Sequence, residues 1–242
     1  MRLHRFIFNF DLREKIFIRE KNLIHQIVNV LRLKKGSCLV LVNSNLRVEA
    51  LFEIVNIDTD FVELKFVKVL DSSPSDSLEI NLFLAILKKE NFEFVCQKVT
   101  EIGAKRIFPV LTSRTVKKDI QRKRVLKIID EATEQSGRLD APILENVLKV
   151  EDLFSLELLK TTFNLVFHPL GEGIKEFARE KEKDFQNKNI SIFIGPEGGF
   201  TENEIEMFKE NGFYILSLGK NVLRAETAAI LSVYLAQFLS RV

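Results

Sequence analysis

The sequence predicts an α/β protein with two unequal domains. The chain has 242 residues, of which 46% are hydrophobic, so it exceeds the usual size of one domain and can build real cores. Strand-like segments dominate the first 70 residues, and strand-like and helix-like segments alternate after them. Residues 71–77 are polar and rich in Ser and Pro, which is typical of a linker. We therefore predict domains at 1–72 and 73–242.

The first domain is predicted to be a small β-barrel with one helix. Arg5–Phe10 is a short apolar segment, and Lys21–Leu31 carries apolar residues at helical spacing. Three strand-like segments follow Gly36 and are separated by residues that favour turns. These segments are Cys38–Val42, Arg47–Ile57 and Phe61–Leu70.

The second domain is predicted to be a parallel sheet covered by helices on both faces, because short apolar strands alternate with helices. Gly103 and Gly137 each end a predicted helix. The predicted strands are Leu78–Leu87, Arg106–Leu111, Phe163–Phe167, Ile190–Ile194 and Phe213–Leu218. The predicted helices are Glu90–Ile102, Lys118–Ser136, 151–160, 172–185, 201–211 and Ala225–Ser240.

Several classes of protein are disfavoured by composition. No apolar run approaches the roughly 18 residues that span a bilayer, and charges interrupt the apolar N-terminal stretch, unlike a signal peptide. Cys38 and Cys96 have no paired spacing, so we expect reduced thiols and a cytoplasmic location. The three histidines are widely scattered, which disfavours a metal centre. The order of residues typical of a Ser/His/Asp hydrolase is also missing.

Positive charge is concentrated in one segment although the net charge is only +2. Residues 105–127 hold nine Lys and Arg and a single acid, Asp119. Such a cluster predicts a face that binds a polyanion, and the alternative is an ordinary solvated helix face. The candidate residues are Arg114, Lys117, Lys118, Arg122, Lys123 and Arg124.

Unusual loops follow three of the predicted parallel strands, at the ends where such sheets bind ligands. They cover residues 168–171, 195–200 and 219–224. The second, Gly-Pro-Glu-Gly-Gly-Phe, can bring its backbone close to a ligand, although a tight turn alone would also explain its glycines. It matches neither a Walker loop nor the GxGxxG fingerprint. Thr201 and Glu204 are predicted to form a capping box.

Three polar residues beside these segments are functional candidates with plain alternatives. Arg224 lies where the last helix begins, and a cation there is disfavoured by about 0.3–1 kcal/mol. That placement suggests a function, unless Arg224 only pairs with Glu226. Arg138 follows Gly137 and could reach a phosphate or a base, or merely end a helix with a cation. A lone histidine beside a proline, such as His168, is more often a structural residue than a general base.

Several motifs together resemble the ribosomal RNA small subunit methyltransferase E family, which belongs to the SPOUT superfamily. The resemblance is carried by the glycine loop at 195–200 and by Leu-Gly-Lys-Asn-Val-Leu-Arg-Ala-Glu-Thr-Ala at 218–228. Gln97–Gly103 with Pro109 and Arg114, Glu134–Arg138, and His4-Arg5-Phe6 also match. These motifs span nearly the whole chain in order, and Lys220 and Asn221 depart from the family's usual residues.

The resemblance implies a PUA-like RNA-binding barrel followed by a SPOUT domain with a C-terminal trefoil knot. It further implies a homodimer whose active site is built at the subunit interface. The implied reaction transfers a methyl group from S-adenosylmethionine to N3 of a uridine in the 16S ribosomal RNA of the small subunit. Neither a metal nor a membrane takes part in it.

The resemblance also implies roles for individual residues. Arg138 and Arg224 are the candidates for a cation near the base oxygens, and Glu134 and Glu226 are weaker candidates for accepting the proton. Arg5 joins the basic residues of 114–127 as a phosphate contact. The implied cofactor-binding residues are Phe167, His168, Pro169, Ile194, Gly195, Glu197, Gly198, Gly199, Leu218, Gly219, Val222, Leu223, Arg224, Ala225 and Thr227.

Other functions remain compatible with these motifs. Another SPOUT methyltransferase could act on a ribose 2′-oxygen or on transfer RNA, although the barrel and the Glu134–Arg138 motif favour uridine N3. A non-catalytic, RNA-binding ribosome-assembly factor could keep the fold without turnover. A phosphate-binding metabolic enzyme would explain the glycine loop but not the basic segment.

Overall fold

The computed structural model describes residues 3–43, 48–70, 79–88, 90–185 and 188–240, and it divides the chain into two compact units. The first unit comprises Met1–Pro74 together with Thr133–Asp140, and the second comprises Ser75–Ala132 and Ala141–Val242. The predicted linker at 71–77, with the domain boundary inside it, lies outside the described residues. The segment Thr133–Asp140 was predicted for the larger domain, whereas it packs with the first unit.

The first unit contains a five-stranded sheet and one helix. The helix α1, Lys21–His25, continues as a π-helical turn at Gln26–Val30. The strands are β1 (His4–Ile7), β2 (Lys15–Ile18), β3 (Cys38–Asn43), β4 (Val48–Ile57) and β5 (Val62–Leu70), in the order β1-β3-β4-β5-β2. The helix and the three long strands confirm the prediction. The sequence did not indicate β2, because it has only four residues and charged neighbours on both sides.

Irregular pairing curves this sheet around a phenylalanine-rich core. The antiparallel register of β4 and β5 shifts twice, after Leu51 and after Ile54, and such bulges bend a strand and increase its twist. Phe52 is fully buried between Phe10 and Phe66, with ring centroids 5.3 and 5.8 Å away. These contacts give the first unit its own core and explain its barrel-like shape.

The second unit is a seven-stranded sheet with helices on both faces. All of its strand pairs are parallel, in the order β12-β10-β11-β6-β7-β8, with β9 also on β7. The strands are β6 (Ile80–Ala85), β7 (Arg106–Leu111), β8 (Ile143–Leu144), β9 (Leu148–Lys149), β10 (Phe163–Gly173), β11 (Ile190–Ile194) and β12 (Tyr214–Ser217). The helices are α2 (Asn91–Ile102), α3 (Arg122–Ser136), α4 (Val150–Leu153), α5 (Glu157–Thr161), α6 (Ile174–Phe185), α7 (Glu202–Glu210) and α8 (Ala225–Ser240).

Alternating side chains on the central strands fill a core on each face of the sheet. On β6, Leu82 and Leu84 face the core beneath α2 and α8, while Phe83 faces the opposite core. There the Phe83 ring stacks between Phe108 and Phe193, with centroids 4.1 and 4.4 Å away. A sheet buried on both faces requires the nearly continuous apolar strands that the sequence contains. The predicted α/β fold class is confirmed, and the knot stays a prediction.

Two predicted helices differ in their extent. The helix predicted at 151–160 is two short helices, because Ser155 and Leu156 bond back to the Asp152 and Leu153 carbonyls. The helix predicted from Lys118 begins at Arg122, because the Gln121 carbonyl accepts the first N–H bonds. Among the described residues, no helix is both long and apolar enough to cross a membrane.

Candidate functional site

The strand register of the second unit brings three loops to one edge of the sheet. Phe167 on β10, just before that strand leaves the ladder, lies opposite Ile194 at the end of β11 and Leu216 on β12. The segments that follow these positions open onto one cavity of about 620 Å³. The lining residues are Asn91, Phe167–Pro169, Ile194–Phe200, Ser217, Leu218, Asn221–Glu226 and Ala228.

The cavity gathers most of the residues that the sequence assigned to a cofactor. Of those named above, only Gly219 and Thr227 are not among its lining. Sequence reasoning missed Asn91, at the start of α2, and Ser217, at the end of β12. It also left out of the cofactor set Pro196, Phe200 and Asn221, which belong to the loops that were singled out, and Glu226 and Ala228, which lie in the first turn of α8.

The glycine loop, residues 195–200, needs glycine at two positions for different reasons. Gly199 has φ +68°, a left-handed conformation that side chains with a Cβ disfavour, and its N–H donates to the Pro196 carbonyl at 2.8 Å. At Gly195 a Cβ would approach the Phe200 ring and N–H at 3.2 Å. The loop therefore has a defined shape, and Gly195 lines the cavity.

Two carboxylates anchor the glycine loop to its surroundings. Glu197 Oε1 accepts the Lys88 N–H at 2.8 Å, which connects the loop to the segment after β6. Glu204 forms the predicted capping box with Thr201 at the start of α7, and its other oxygen accepts the Ser113 N–H at 2.8 Å. Glu197 thus both lines the cavity and holds the backbone in place.

Three of the predicted phosphate contacts in the basic segment have partners within the protein. Arg114 Nη1 donates to the Gly198 carbonyl at 2.7 Å and to the Phe200 carbonyl at 3.3 Å. Arg122 donates to the carbonyls of Leu144 and Glu145, and Arg124 pairs with Glu93 at 2.9 Å. A guanidinium has several N–H donors, so it can bond to carbonyl and carboxylate oxygens such as these. Lys117, Lys118 and Lys123 stay predicted phosphate contacts.

The loop after Phe167 is a four-residue bulge in β10. Phe167 and Glu172 both lie opposite Leu216, so residues 168–171 leave the ladder and the strand resumes. The His168 Nδ1 accepts the Leu170 N–H at 3.3 Å. Burial of the ring, and then the charge of Arg114, lower the pKa of His168 below its ordinary value of 6.5. His168 is therefore a neutral acceptor near pH 7.

The third loop ends at the N-terminus of α8. Ser217 Oγ bonds both the carbonyl and the N–H of Gly219, whose φ is +142°. The Arg224 carbonyl accepts the first helical bond, from Ala228. The Arg224 side chain is 87% exposed, and its nearest Glu226 oxygen is 4.0 Å away. A pair this long and solvated holds the guanidinium weakly, so the simple ion-pair explanation of Arg224 is not favoured.

The other two predicted catalytic residues belong to the first unit. Glu134 Oε1 accepts the Ile7 N–H at 3.4 Å, and Arg138 is half-buried just after Gly137, which has φ +74°. The Arg5 side chain passes beside Gly137 and pairs with Glu49 at 3.7 Å. Every lining residue of the cavity belongs to the second unit, and of the predicted catalytic residues Arg224 and the weaker candidate Glu226 are among them.

No group of three or more His, Cys, Asp or Glu residues in the described segments could hold a metal ion. The cavity is instead lined by backbone, apolar side chains and a few polar groups. Pockets of this kind bind organic ligands, with the polar groups fixing their orientation.

Comparisons with known proteins agree with this architecture. The RNA methyltransferase domain family matches residues 74–237. Ribosomal RNA small subunit methyltransferase E 2 of Borreliella burgdorferi is 35% identical over 226 residues, which are 90% of this chain and 89% of the relative. Ribosomal RNA small subunit methyltransferase E of Rickettsia conorii is 31% identical over 246 residues, or 96% and 94% of the two chains.

Solved structures share the fold over almost the whole chain. A methyltransferase of Legionella pneumophila with bound S-adenosylmethionine (SAM) has a TM-score of 0.85 at 29% identity, over 98% of each chain. The ribosomal RNA small subunit methyltransferase E of Neisseria gonorrhoeae, bound to SAM, has a TM-score of 0.86 at 23% identity, over 98% of each chain, which shows a common fold. With relatives above 30% identity over nearly its full length, this chain belongs to the ribosomal RNA small subunit methyltransferase E family.

Proposed function

We propose that this protein transfers the methyl group of SAM to N3 of a uridine in the 16S ribosomal RNA of the small subunit. The observation that carries the proposal is the cavity of about 620 Å³ built by three loops at the carboxyl edge of the parallel sheet. The relatives named above act on small-subunit ribosomal RNA by their names, and the Legionella structure holds SAM.

The cavity residues fit SAM by their chemistry. The volume lies within the range of about 300–1,000 Å³ that small-molecule sites span. Ile194, Leu218 and Leu223 offer apolar walls, while the glycine loop brings backbone groups close to a ligand. When bound, SAM supplies a methyl group that is already activated. The protein therefore has to bind and orient two substrates and to exclude water from them.

Arg224 is the residue that we assign to the uridine. N3 of uridine must lose its proton to accept a methyl group, and the negative charge then spreads to the ring oxygens. A guanidinium near those oxygens stabilises that charge. Arg224 lines the cavity and has its side chain 87% exposed, so it is available to a second substrate. Arg138 and Glu134 stay predictions that rest on the family resemblance.

Lys117, Lys118 and Lys123 are the basic residues that we assign to RNA phosphates. They lie in one segment whose arginines are engaged with carbonyls or Glu93. Lys118 and Lys123 are exposed and Lys117 is half-buried. Phosphate contacts of this kind give an affinity for RNA that weakens with salt and does not depend on the RNA sequence. Arg5 is a further candidate in the first unit.

A homodimer is also part of the proposal, and an exposed apolar stripe on α8 supports it. Leu231, Tyr234 and Phe238 share one face of the helix and are 40%, 54% and 56% exposed. Phe94 on the neighbouring α2 is 46% exposed. Contiguous exposed apolar side chains of this kind mark surfaces that another chain covers.

The proposed reaction is tested by methyl transfer from labelled SAM to small ribosomal subunits that lack this modification, followed by nucleoside mass spectrometry. We expect 3-methyluridine. If the label appears in a ribose-methylated nucleoside, or appears only when transfer RNA is the substrate, the protein has another SPOUT activity. Binding of SAM without any label would support the non-catalytic assembly factor.

One variant separates chemistry from binding in the same assay. We expect Arg224→Met to lower the rate of methyl transfer by about 100-fold, the scale for removing one group that stabilises developing negative charge. The affinity for SAM should change much less. The matched control is Arg179→Met on α6, an exposed arginine that is not part of the cavity. Equal rates for both variants would remove Arg224 from the catalytic site.

A further inference from the structure

We propose that Arg114 is a positioning residue of the cofactor site, and that its guanidinium holds the glycine loop in the conformation that binds the ligand. The inference rests on the proposed function, because the proposed function is what makes SAM the ligand of this cavity. It replaces the phosphate contact that the sequence predicted for Arg114.

The contacts of the side chain are made with the loop backbone. Nη1 lies 2.7 Å from the Gly198 carbonyl and 3.3 Å from the Phe200 carbonyl. Hydrogen bonds with a charged donor are roughly twice as strong as neutral ones. The stem of Arg114 also lies across Gly198, where an added Cβ would be 3.4 Å from Cδ and 3.5 Å from Cβ of the arginine. One side chain thus restrains two peptide groups on either side of Gly199.

Restraining these carbonyls fixes the backbone of the glycine loop on both sides of Gly199. A peptide group is planar and trans, so the direction of a C=O also sets the direction of the following N–H. Gly199, between the two restrained carbonyls, has φ +68° and open space around its Cα. A glycine with open space has many accessible conformations. The guanidinium supplies the restraint that side-chain packing cannot supply at such a residue.

The turn that carries Arg114 is itself held rigidly. The Thr112 N–H donates to Thr115 Oγ1 at 2.9 Å, the two hydroxyls lie 3.0 Å apart, and both residues are buried. The neighbouring Ser113 N–H donates to Glu204 at 2.8 Å. The turn after β7 is therefore closed by its own hydrogen bonds and joined to the segment 198–204 through Ser113 and through Arg114 itself, as expected of a support.

Arg114 also acts on a second loop of the cavity through its charge. That charge is one of the two causes that lower the pKa of His168, after burial of the ring. The neutral ring accepts the Leu170 N–H within the 168–171 bulge. The same guanidinium therefore supports the shape of two of the three loops that build the cavity.

The test compares Arg114→Met, Arg114→Lys and the control Arg179→Met, each checked for cooperative thermal unfolding. SAM affinity is measured by calorimetry. We expect Arg114→Met to lose affinity by about tenfold or more, the effect of losing a hydrogen bond from a charged donor. Arg114→Lys should lose nearly as much, because a single ammonium does not reproduce the planar fork. Arg179→Met should bind like the wild type. Unchanged affinity in Arg114→Met would overturn the proposal.

Two readouts without cofactor keep this test independent of the proposed function. Amide hydrogen exchange of residues 195–201 should accelerate in both Arg114 variants and stay unchanged in the control. The His168 ring resonance should titrate at a higher pH in Arg114→Met than in Arg114→Lys, since lysine keeps the charge. The other charged groups lining the cavity, Glu197, Arg224 and Glu226, are the same in all variants. If wild-type protein fails to bind SAM, the proposed function fails, whereas unaltered exchange in Arg114→Met refutes the positioning role alone.

Discussion

At the scale of single residues, the charged side chains near the cavity divide into two groups. Arg114, Glu197 and Glu204 are engaged with backbone groups and shape the loops. Among the residues that the structure describes, Arg224 has one ion-pair contact, with Glu226 at 4.0 Å, and it is largely exposed. A residue that already satisfies backbone groups has little capacity left for a substrate. This division is the structural reason for assigning chemistry to Arg224 and support to the others.

His168 makes the site sensitive to pH. Its pKa lies below 6.5 in the folded protein. The contribution of the neutral ring to the stability of the folded site is therefore complete above pH 6.5 and is lost as the pH falls below that value. Protonation would take Nδ1 from the Leu170 N–H and add a charge near Arg114. We expect SAM affinity to stay constant above pH 6.5 and to fall as the pH drops below it, which a comparison of about pH 7.5 with about pH 5 detects. Calorimetry at both values measures this.

The matched variant for this prediction is His168→Gln, which offers a neutral acceptor at every pH. Its affinity for SAM should change less between the two pH values than that of the wild type. Two other groups in the described part of the second unit have shifted pKa values. The pKa of Cys96, buried on α2, is raised, so the thiol stays protonated in this range, and Asp130, whose pKa is raised by burial and by Glu131, does not line the cavity. An identical decline in wild type and His168→Gln would show that another group is responsible.

The site could be predicted from sequence where it depends on the chain's local order, and not where it depends on distant partners. Glycine-rich loops after predicted parallel strands pointed to the cavity, since ligands bind at such ends. The role of Arg114 could not be predicted, because its partner Gly198 is 84 residues away in the chain. Basic residues in one segment look alike in sequence, and only the fold separates those that bond to carbonyls from those left exposed.

At the scale of secondary structure, the bulge in β10 is the element that opens the cavity. It lifts residues 168–171 out of the sheet between two positions that both face Leu216. Gly171 closes this bulge against the backbone of Leu216, where an added Cβ would lie only 2.5–2.7 Å from three backbone atoms. Backbone atoms in a paired strand cannot move aside easily. The bulge therefore requires glycine for steric reasons at this position.

We predict that Gly171→Ala destabilises the protein and weakens SAM binding. Forcing an extra methyl group into a packed site costs about 1–3 kcal/mol, which corresponds to a fall in Tm of roughly 2–12 °C for a protein of this size. The matched control is Gly173→Ala, two residues along the same strand, where the added Cβ meets only the movable Glu176 carboxylate. Thermal unfolding followed by circular dichroism measures both. A Gly171→Ala protein as stable as Gly173→Ala would contradict the close contact.

The sequence predicted long elements well and short ones poorly. β11 and α8 have the predicted bounds, because apolar runs and caps determine them locally. The two-residue strands β8 and β9 were missed, since they exist only through pairing with β7. The helix α3 also passes from the second unit to the first at Thr133. Hydrophobic periodicity could not predict this, because helical spacing does not show which part of the chain each helix face contacts.

At the scale of the whole molecule, the exposed apolar stripe of α8 makes the oligomeric state testable. Three side chains cannot supply an interface alone, since stable interfaces bury about 1,200–2,000 Å² in total. Phe94 on α2 extends the apolar surface on the second unit. A two-fold interface uses the same patch on both subunits. We therefore expect the homodimer to be centred on α8 and to include α2.

Tyr234→Lys combined with Phe238→Lys should yield a monomer, because two cations would be placed on each side of a self-complementary apolar patch, where like charges repel. Sedimentation velocity of wild type and variant measures this. Val30→Lys in the first unit is the control, since Val30 is equally apolar and 61% exposed but lies on α1's π-helical turn. A dimeric variant would place the interface elsewhere, and a monomeric wild type would refute the dimer. If the variant is monomeric and still methylates RNA, each subunit holds a complete active site.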